Sequence, residues 1–150
     1  MKYLFEEPYD YQDKDAREQA ERAFLDRYDA YLSEFAVAEP LLPKRFVKEY
    51  KKDFFHDYEV AEMAFYPGEK GLSLNLTLHN HDDDKLLLSY QNVRSVRTQL
   101  NGEDGFLKVL YVEILPKGEN TLSQEFSFWP EEASLYFTFS SLRFKKKRHV

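Results

Sequence analysis

The sequence predicts an α+β fold, two N-terminal helices packed on one face of a five- to six-stranded antiparallel, mainly meander sheet. Three observations predict it. Residues 72–78 read Leu-Ser-Leu-Asn-Leu-Thr-Leu, a strict alternation that puts one face of a strand in a core and the other outside. Residues 13–38 instead repeat apolar side chains at spacings of three and four, the period of a helix. No ten-residue helical pattern interrupts the strand-like second half, so there is no room for parallel crossovers. Helices first and strands after is the order of an α+β domain.

Taken in order, residues 1–11 are an acidic, aromatic lead-in with Pro8 and no clear period. Asp10 or Asp13 can cap the first helix, and Asp15 and Glu18 suit its positive end. Its stripe is Ala16, Ala20, Ala23, Phe24, Tyr28, Tyr31, Leu32 and Phe35, and Glu39-Pro40 stops it. A second helix starts at Pro43 or Lys44, where proline is tolerated. Phe46, Val47, Tyr50 and Phe54 form its apolar side. Lys44, Arg45, Lys48, Lys51 and Lys52 form a basic side.

Six strands are predicted beyond residue 57, at 58–66, 71–79, 85–98 with a break near Asn92, 106–115, 120–129 and 134–144. Turn compositions separate them: Pro67-Gly68, residues 80–84, Asn101-Gly102 with Gly105, residues 116–120 and residues 130–132. The core face is read as Leu72, Leu74, Leu76, Leu78, Leu86, Leu88, Leu110, Val112, Ile114, Phe126, Phe128, Leu135, Phe137 and Phe139. A single domain spans 1–150, with a helical part over about 12–55, a sheet part over about 57–144 and a basic tail at 145–150, expected to fray.

Composition narrows the function. The 150 residues are 43% hydrophobic and 17% aromatic, enough for a sizeable core. The absence of cysteine excludes disulfides and cysteine-based zinc sites. Acids stand near the start where a signal peptide needs an apolar run, and nothing approaches the roughly 18 apolar residues of a membrane span. A soluble cytoplasmic protein without membrane contact is expected. The formal net charge is −6. Without Arg143, Lys145, Lys146, Lys147 and Arg148 the remainder is −11. Such a body repels phosphate backbones, so no nucleic acid is expected on the folded domain, and it favours a basic protein partner or simply serves solubility.

The outward sheet positions offer a polar, tyrosine-bearing binding surface of Asn75, Thr77, Tyr111, Glu113, Tyr136 and Thr138. Tyrosine is enriched at recognition patches, although a solvated sheet face has the same pattern. His79-Asn80-His81-Asp82-Asp83-Asp84 supplies nitrogen and oxygen donors, and His79, His81 and Asp83 form the candidate metal set. Asn and Asp in series also suit a plain hairpin loop. His56-Asp57 falls at the joint between helices and sheet, where capping of the backbone is the simpler role. No Gly-x-Ser-x-Gly elbow or phosphate-binding glycine loop occurs, and no motif calls for a cofactor.

Met1-Lys2-Tyr3, His56-Asp57, Tyr111-x-Glu113-Ile114 and Leu135-x-Phe137-x-Phe139-x-x-Leu142 resemble a group of small bacterial proteins classed as a domain of unknown function. The resemblance covers chiefly residues 54–144 and implies a helical N-terminal part before a β-rich half that opens at a His-Asp pair. It implies a bacterial cytosolic protein and no activity. The chain departs from that pattern between 115 and 130, which holds no histidine. The expected function is therefore a non-catalytic protein-binding module with an acidic surface. A metal-dependent hydrolase using the 79–84 loop, and a small-ligand carrier with an apolar pocket between helices and sheet, stay open as alternatives. Self-association through the sheet face also stays open.

Overall fold

The structure is a computed structural model that describes residues 1–69, 71–100, 107–129 and 133–149. Its helical part is one long helix and one short one. Helix α1 spans Lys14–Ala38. The Asp13 carboxylate accepts the Ala16 N–H at its start, as an N-cap should. A single 3-10 turn, Glu39–Leu41, follows at Pro40. Helix α2 spans Lys44–Asp53. Phe46, Tyr31, Phe35 and Tyr50 are buried, each worth roughly 1.5–3 kcal/mol of transfer free energy. No helix among the described residues is long and apolar enough to cross a membrane.

Seven strands follow: β1 Glu59–Gly68, β2 Gly71–His79, β3 Lys85–Gln99, β4 Lys108–Gly118, β5 Thr121–Trp129, β6 Ala133–Phe139 and β7 Ser141–Lys147. All pairings are antiparallel. β1 pairs with β2, β2 with β3, β3 with β6, β6 with β5 and β5 with β4. β4 then returns to β1, where Glu59 stands opposite Lys108. The Asp57 N–H donates to the Val109 carbonyl and the Val109 N–H to the Tyr58 carbonyl. The sheet thus closes on itself, which removes most of its free edges.

The sheet pairs mainly between successive strands, as a meander does, but has seven strands where five or six were expected. The stretch 134–144 divides at Ser140, and both halves pair with β3. Residues 94–99 of β3 take β6, and residues 85–91 take β7. The break near Asn92 explains how. Asn92 and Ser95 both adopt positive φ, and the register shifts beside each, so two bulges bend the long strand toward two successive neighbours. Gly71 is required opposite: its φ is +114° and an added Cβ would stand 3.2 Å from Asn92 Oδ1. The basic tail is paired through Lys147 rather than frayed, Lys145 opposite Leu87 and Lys147 opposite Lys85. The expected turns at Asn101-Gly102 with Gly105 and at residues 130–132 lie outside the described residues.

The leucine face holds. Leu74, Leu76 and Leu78 of β2 oppose Tyr90, Leu88 and Leu86 of β3, all buried. Phe126, Phe128, Leu135, Phe137 and Phe139 complete the interior. Leu72 is only half-buried. Leu110 also leaves the predicted core. A register shift between Val109 and Tyr111 reverses the alternation, so Val109 is buried in its place. Gln124 is fully buried beside the Tyr90 hydroxyl, yet its amide makes no hydrogen bond of ordinary geometry.

The second edge of β4 is covered by side chains instead of a strand. Tyr50 Oη donates to the Val112 carbonyl, and the Ile114 N–H donates to Tyr31 Oη at 2.8 Å. The two hydroxyls are 2.6 Å apart. Since the Tyr50 proton is committed to Val112, Tyr31 is the donor between them. One residue pair further along, His56 Nδ1 donates to the Leu110 carbonyl at 3.1 Å. The helices therefore dock against a strand edge as well as on apolar surface. This is also the place of His56: a brace on the joint, with Asp57 beside it at 3.4 Å.

Candidate functional site

The structure does not bring the expected binding surface together. Glu113, expected to face a partner, is only 3% exposed. Its two carboxylate oxygens accept the backbone N–H groups of Lys2, Tyr3 and Leu4 at 3.0, 2.9 and 2.9 Å. The lead-in folds over the outer side of β4 and takes this carboxylate for itself. Thr138 is likewise nearly covered and donates to the Arg94 carbonyl. Tyr136 lies under the Arg97 guanidinium, 4.2 Å from its ring centroid. Asn75 and Thr77 line a separate shallow groove of about 400 Å³ with Glu62, Ser89, Arg143 and Lys145. Residues 87–89 of β3 form part of that groove, whereas Tyr136 of β6 pairs further along the same strand, opposite Arg97.

The metal candidates line one cavity of about 330 Å³, together with Asp57, Glu59, Asn80 and Lys108. His79 Nε2 is 3.6 Å from Glu59, while His81 is 88% exposed at its side chain and points to Asp82. The loop is organised by Asn80, whose side-chain oxygen accepts from the Asp82 and Asp84 N–H groups at 3.0 Å each. Asp83 takes the left-handed conformation such a turn needs, at φ +60°. Among the described residues no three His, Asp or Glu side chains form a group that could hold a metal ion. His79, His81 and Asp83 thus share the rim of one hairpin-turn cavity without forming such a group.

Of the expected surface, Tyr111 lies at a second concave site. It forms one end of a cleft of about 590 Å³ between the lead-in and the first half of α1. Glu6, Glu7, Tyr9 and Tyr11 line one wall, and Ala20, Glu21, Phe24, Leu25 and Arg27 the other. The lead-in is held in place from three directions. Glu113 grips the amides of residues 2–4. Arg27 donates to the Tyr3 and Phe5 carbonyls at 3.1 and 2.7 Å and covers the Phe5 ring. Tyr111 Oη donates to Glu6 at 2.9 Å, which fixes the inner carboxylate. Leu4 is buried below.

The cleft is aromatic and negative. The Tyr9 and Tyr11 rings stand 4.6 Å apart, and Phe24 and Tyr111 6.0 Å apart. Burial pushes the Tyr111 phenol well up, and the hydrogen-bonded Glu6 adds to it. The Tyr9 phenol is raised by partial desolvation and then by Tyr11, Glu21 and Glu6 around it. The one cation of the lining, Arg27, spends its guanidinium on two carbonyls. Leu25, 60% exposed, and Tyr11, 72% exposed, leave apolar surface at the rim.

Sequence reasoning missed Glu6, Glu7, Tyr9, Tyr11 and Glu21 as site residues. The signal was present: an acidic, aromatic stretch without helical or strand period is a segment whose side chains are free for contact. What it faces was not visible. Comparison of the chain with protein-family models, with curated proteins and with solved structures finds no match; the structure itself shows the layout of helices before a β-rich part.

Proposed function

We propose that this chain is a non-catalytic protein-binding module that takes a basic segment of a partner protein in the cleft between its lead-in and α1. The observation that carries this reading is the lining itself. Three carboxylates, Glu6, Glu7 and Glu21, surround the rings of Tyr9, Tyr11, Phe24 and Tyr111, and the local arginine is already used. A Lys or Arg side chain entering there meets aromatic faces and carboxylates at once, the arrangement that attracts organic cations. The acidic balance of the chain supports the same partner by steering its approach.

The test is calorimetry with a Lys/Arg-rich peptide that also carries aromatic residues. Three substitutions in the cleft, Glu6→Gln, Glu7→Gln and Glu21→Gln, are compared with three elsewhere, Glu69→Gln, Asp82→Asn and Glu119→Gln. Both triple variants lose the same charge. The reading predicts that the cleft variant weakens binding by at least tenfold, about 1.4 kcal/mol, while the control changes it by less than about threefold. Equal losses in both variants would reduce the interaction to general charge attraction.

A further inference from the structure

The fold joins two basic stretches that are about 90 residues apart in the chain. Lys44, Arg45, Lys48, Lys51 and Lys52 on α2, and Arg143, Lys145, Lys146, Lys147 and Arg148 at the end, hold ten of the 21 basic residues. Strand alternation divides the second group. Phe144 and Lys146 share the face of Leu88 and Leu86, toward α2, whereas Arg143, Lys145 and Lys147 point to the opposite side. Lys146 then meets Glu49 at 3.1 Å, and both side chains are only 14% exposed. Glu49 also accepts Lys52 at 2.9 Å. Burial alone would raise the Glu49 carboxyl, but the hydrogen bonds from Lys52 and Lys146 outweigh it and hold the group below its usual range.

Around this fixed pair lies a cavity of about 340 Å³ lined by Arg45, Lys48, Glu49, Phe144, Lys146 and Arg148. Glu49 is the one acid in it and is committed twice. Arg45, Lys48 and Arg148 make no ion pair among the described residues. Of the other cations in the two stretches, Lys51 is neutralised by Glu39, and Lys52 and Lys146 by Glu49. In a chain of net charge −6, this is a corner of concentrated, unspent positive charge. It is also built on rigid parts. α2 and β7 are tied by the Lys146–Glu49 pair and by the edge-on packing of Phe46 on Phe144, 5.7 Å between ring centroids.

We propose that this cavity binds a small phosphate-bearing molecule, with the phosphate held by Arg45, Lys48 and Arg148 and its organic part against Phe144. Guanidinium forks suit phosphate oxygens geometrically, and Lys adds a point charge. Size and charge choose a small ligand over a polymer. The cavity is at the lower end of the range for small-molecule sites. The acidic remainder of the body repels a long polyanion, whereas a compact dianion inside one Debye length, about 8 Å, sees mainly the local cations. The cavity shares no residue with the acidic cleft, so this inference stands or falls independently of the proposed partner.

The experiment is calorimetry on the full chain with inorganic pyrophosphate, AMP, adenosine and a single-stranded oligonucleotide. Arg45→Glu and Lys48→Gln are the test variants. Arg45→Glu places an acid in the first turn of α2, where the helix dipole welcomes it, so the fold is retained and melting temperature verifies this. Pyrophosphate and AMP are expected to bind at submillimolar concentration, adenosine not, and each variant to weaken binding by about tenfold or more. Binding of AMP and adenosine alike would overturn the phosphate assignment. Binding of the oligonucleotide with no response to pyrophosphate up to about 10 mM would overturn the small-molecule assignment. Unchanged affinity in Arg45→Glu would overturn the site.

Discussion

Tyr31 donates a hydrogen bond to Tyr50 across 2.6 Å, and through it the Ile114 N–H and the Val112 carbonyl of one strand edge are satisfied by two different helices. Each hydroxyl accepts one bond and donates one. Both phenols are pushed well above their usual range, chiefly by burial, so they remain protonated donors at any ordinary pH. A relay of this kind costs little when complete and much when cut, because the strand groups it serves are buried.

Tyr31→Phe leaves the Ile114 N–H without a partner, and Tyr50→Phe does the same to the Val112 carbonyl. Each is expected to cost about 1–3 kcal/mol. The double variant should cost less than the sum, since both substitutions cut one relay. Urea denaturation of the three variants measures this. Strict additivity would show that the hydroxyls act separately.

Glu113→Ala removes the acceptor of three backbone N–H groups. It is expected to cost about 3 kcal/mol and to free the lead-in. Hydrogen exchange should show the Lys2, Tyr3 and Leu4 amides losing protection while the amides of β5 and β6 keep theirs. The cleft loses one wall in this variant, so peptide binding should fall with it. Glu113→Gln keeps an acceptor oxygen and should lie between the two.

Stability should also depend on pH through Glu49. Its carboxyl lies below the ordinary glutamate value of 4.5 in the folded state. A depressed folded value means that the unfolded chain binds the proton first. The stabilisation is therefore complete above that ordinary value and is lost as pH falls through the lower folded one. The stability difference between the unmodified chain and Glu49→Gln, followed by thermal melts, should be constant near neutrality and shrink in acid. A difference that grew on acidification would contradict the pairing with Lys146 and Lys52.

Gln124→Leu tests the interior. The amide is fully buried without a good hydrogen bond, and an apolar side chain of similar size removes that cost. The variant is expected to be as stable as the unmodified chain or more so, by up to about 2 kcal/mol. A loss of several kcal/mol would show that the amide is held by contacts essential to the fold.

Much of the local structure was legible. Asp10 or Asp13 as the cap, Pro43 or Lys44 as the start of the second helix, and residues 72–78 as a half-buried strand could be read because each is decided within a few neighbouring residues. The closure of the sheet was not legible, since pairing of β4 with β1 and of β3 with both β6 and β7 depends on distant partners. One bulge at Val109–Tyr111 was enough to exchange Leu110 for Val109 in the core. Glu113 read as an outward residue because its partners are amides more than a hundred positions away. Tyr31 and Tyr50 read as members of apolar stripes, which they are. Their hydroxyl roles exist only once β4 is beside them. The cleft needed the lead-in to be placed against α1, and a segment without period carries no such instruction.

The most direct test of the proposed function is an amide chemical-shift titration of the labelled protein with the Lys/Arg-rich peptide at moderate salt. The account predicts that shifts concentrate in residues 6–11, residues 20–27 and Tyr111, and saturate at one peptide per chain. Shifts that centre instead on Asn75 and Thr77, or spread thinly over every acidic surface, would contradict it.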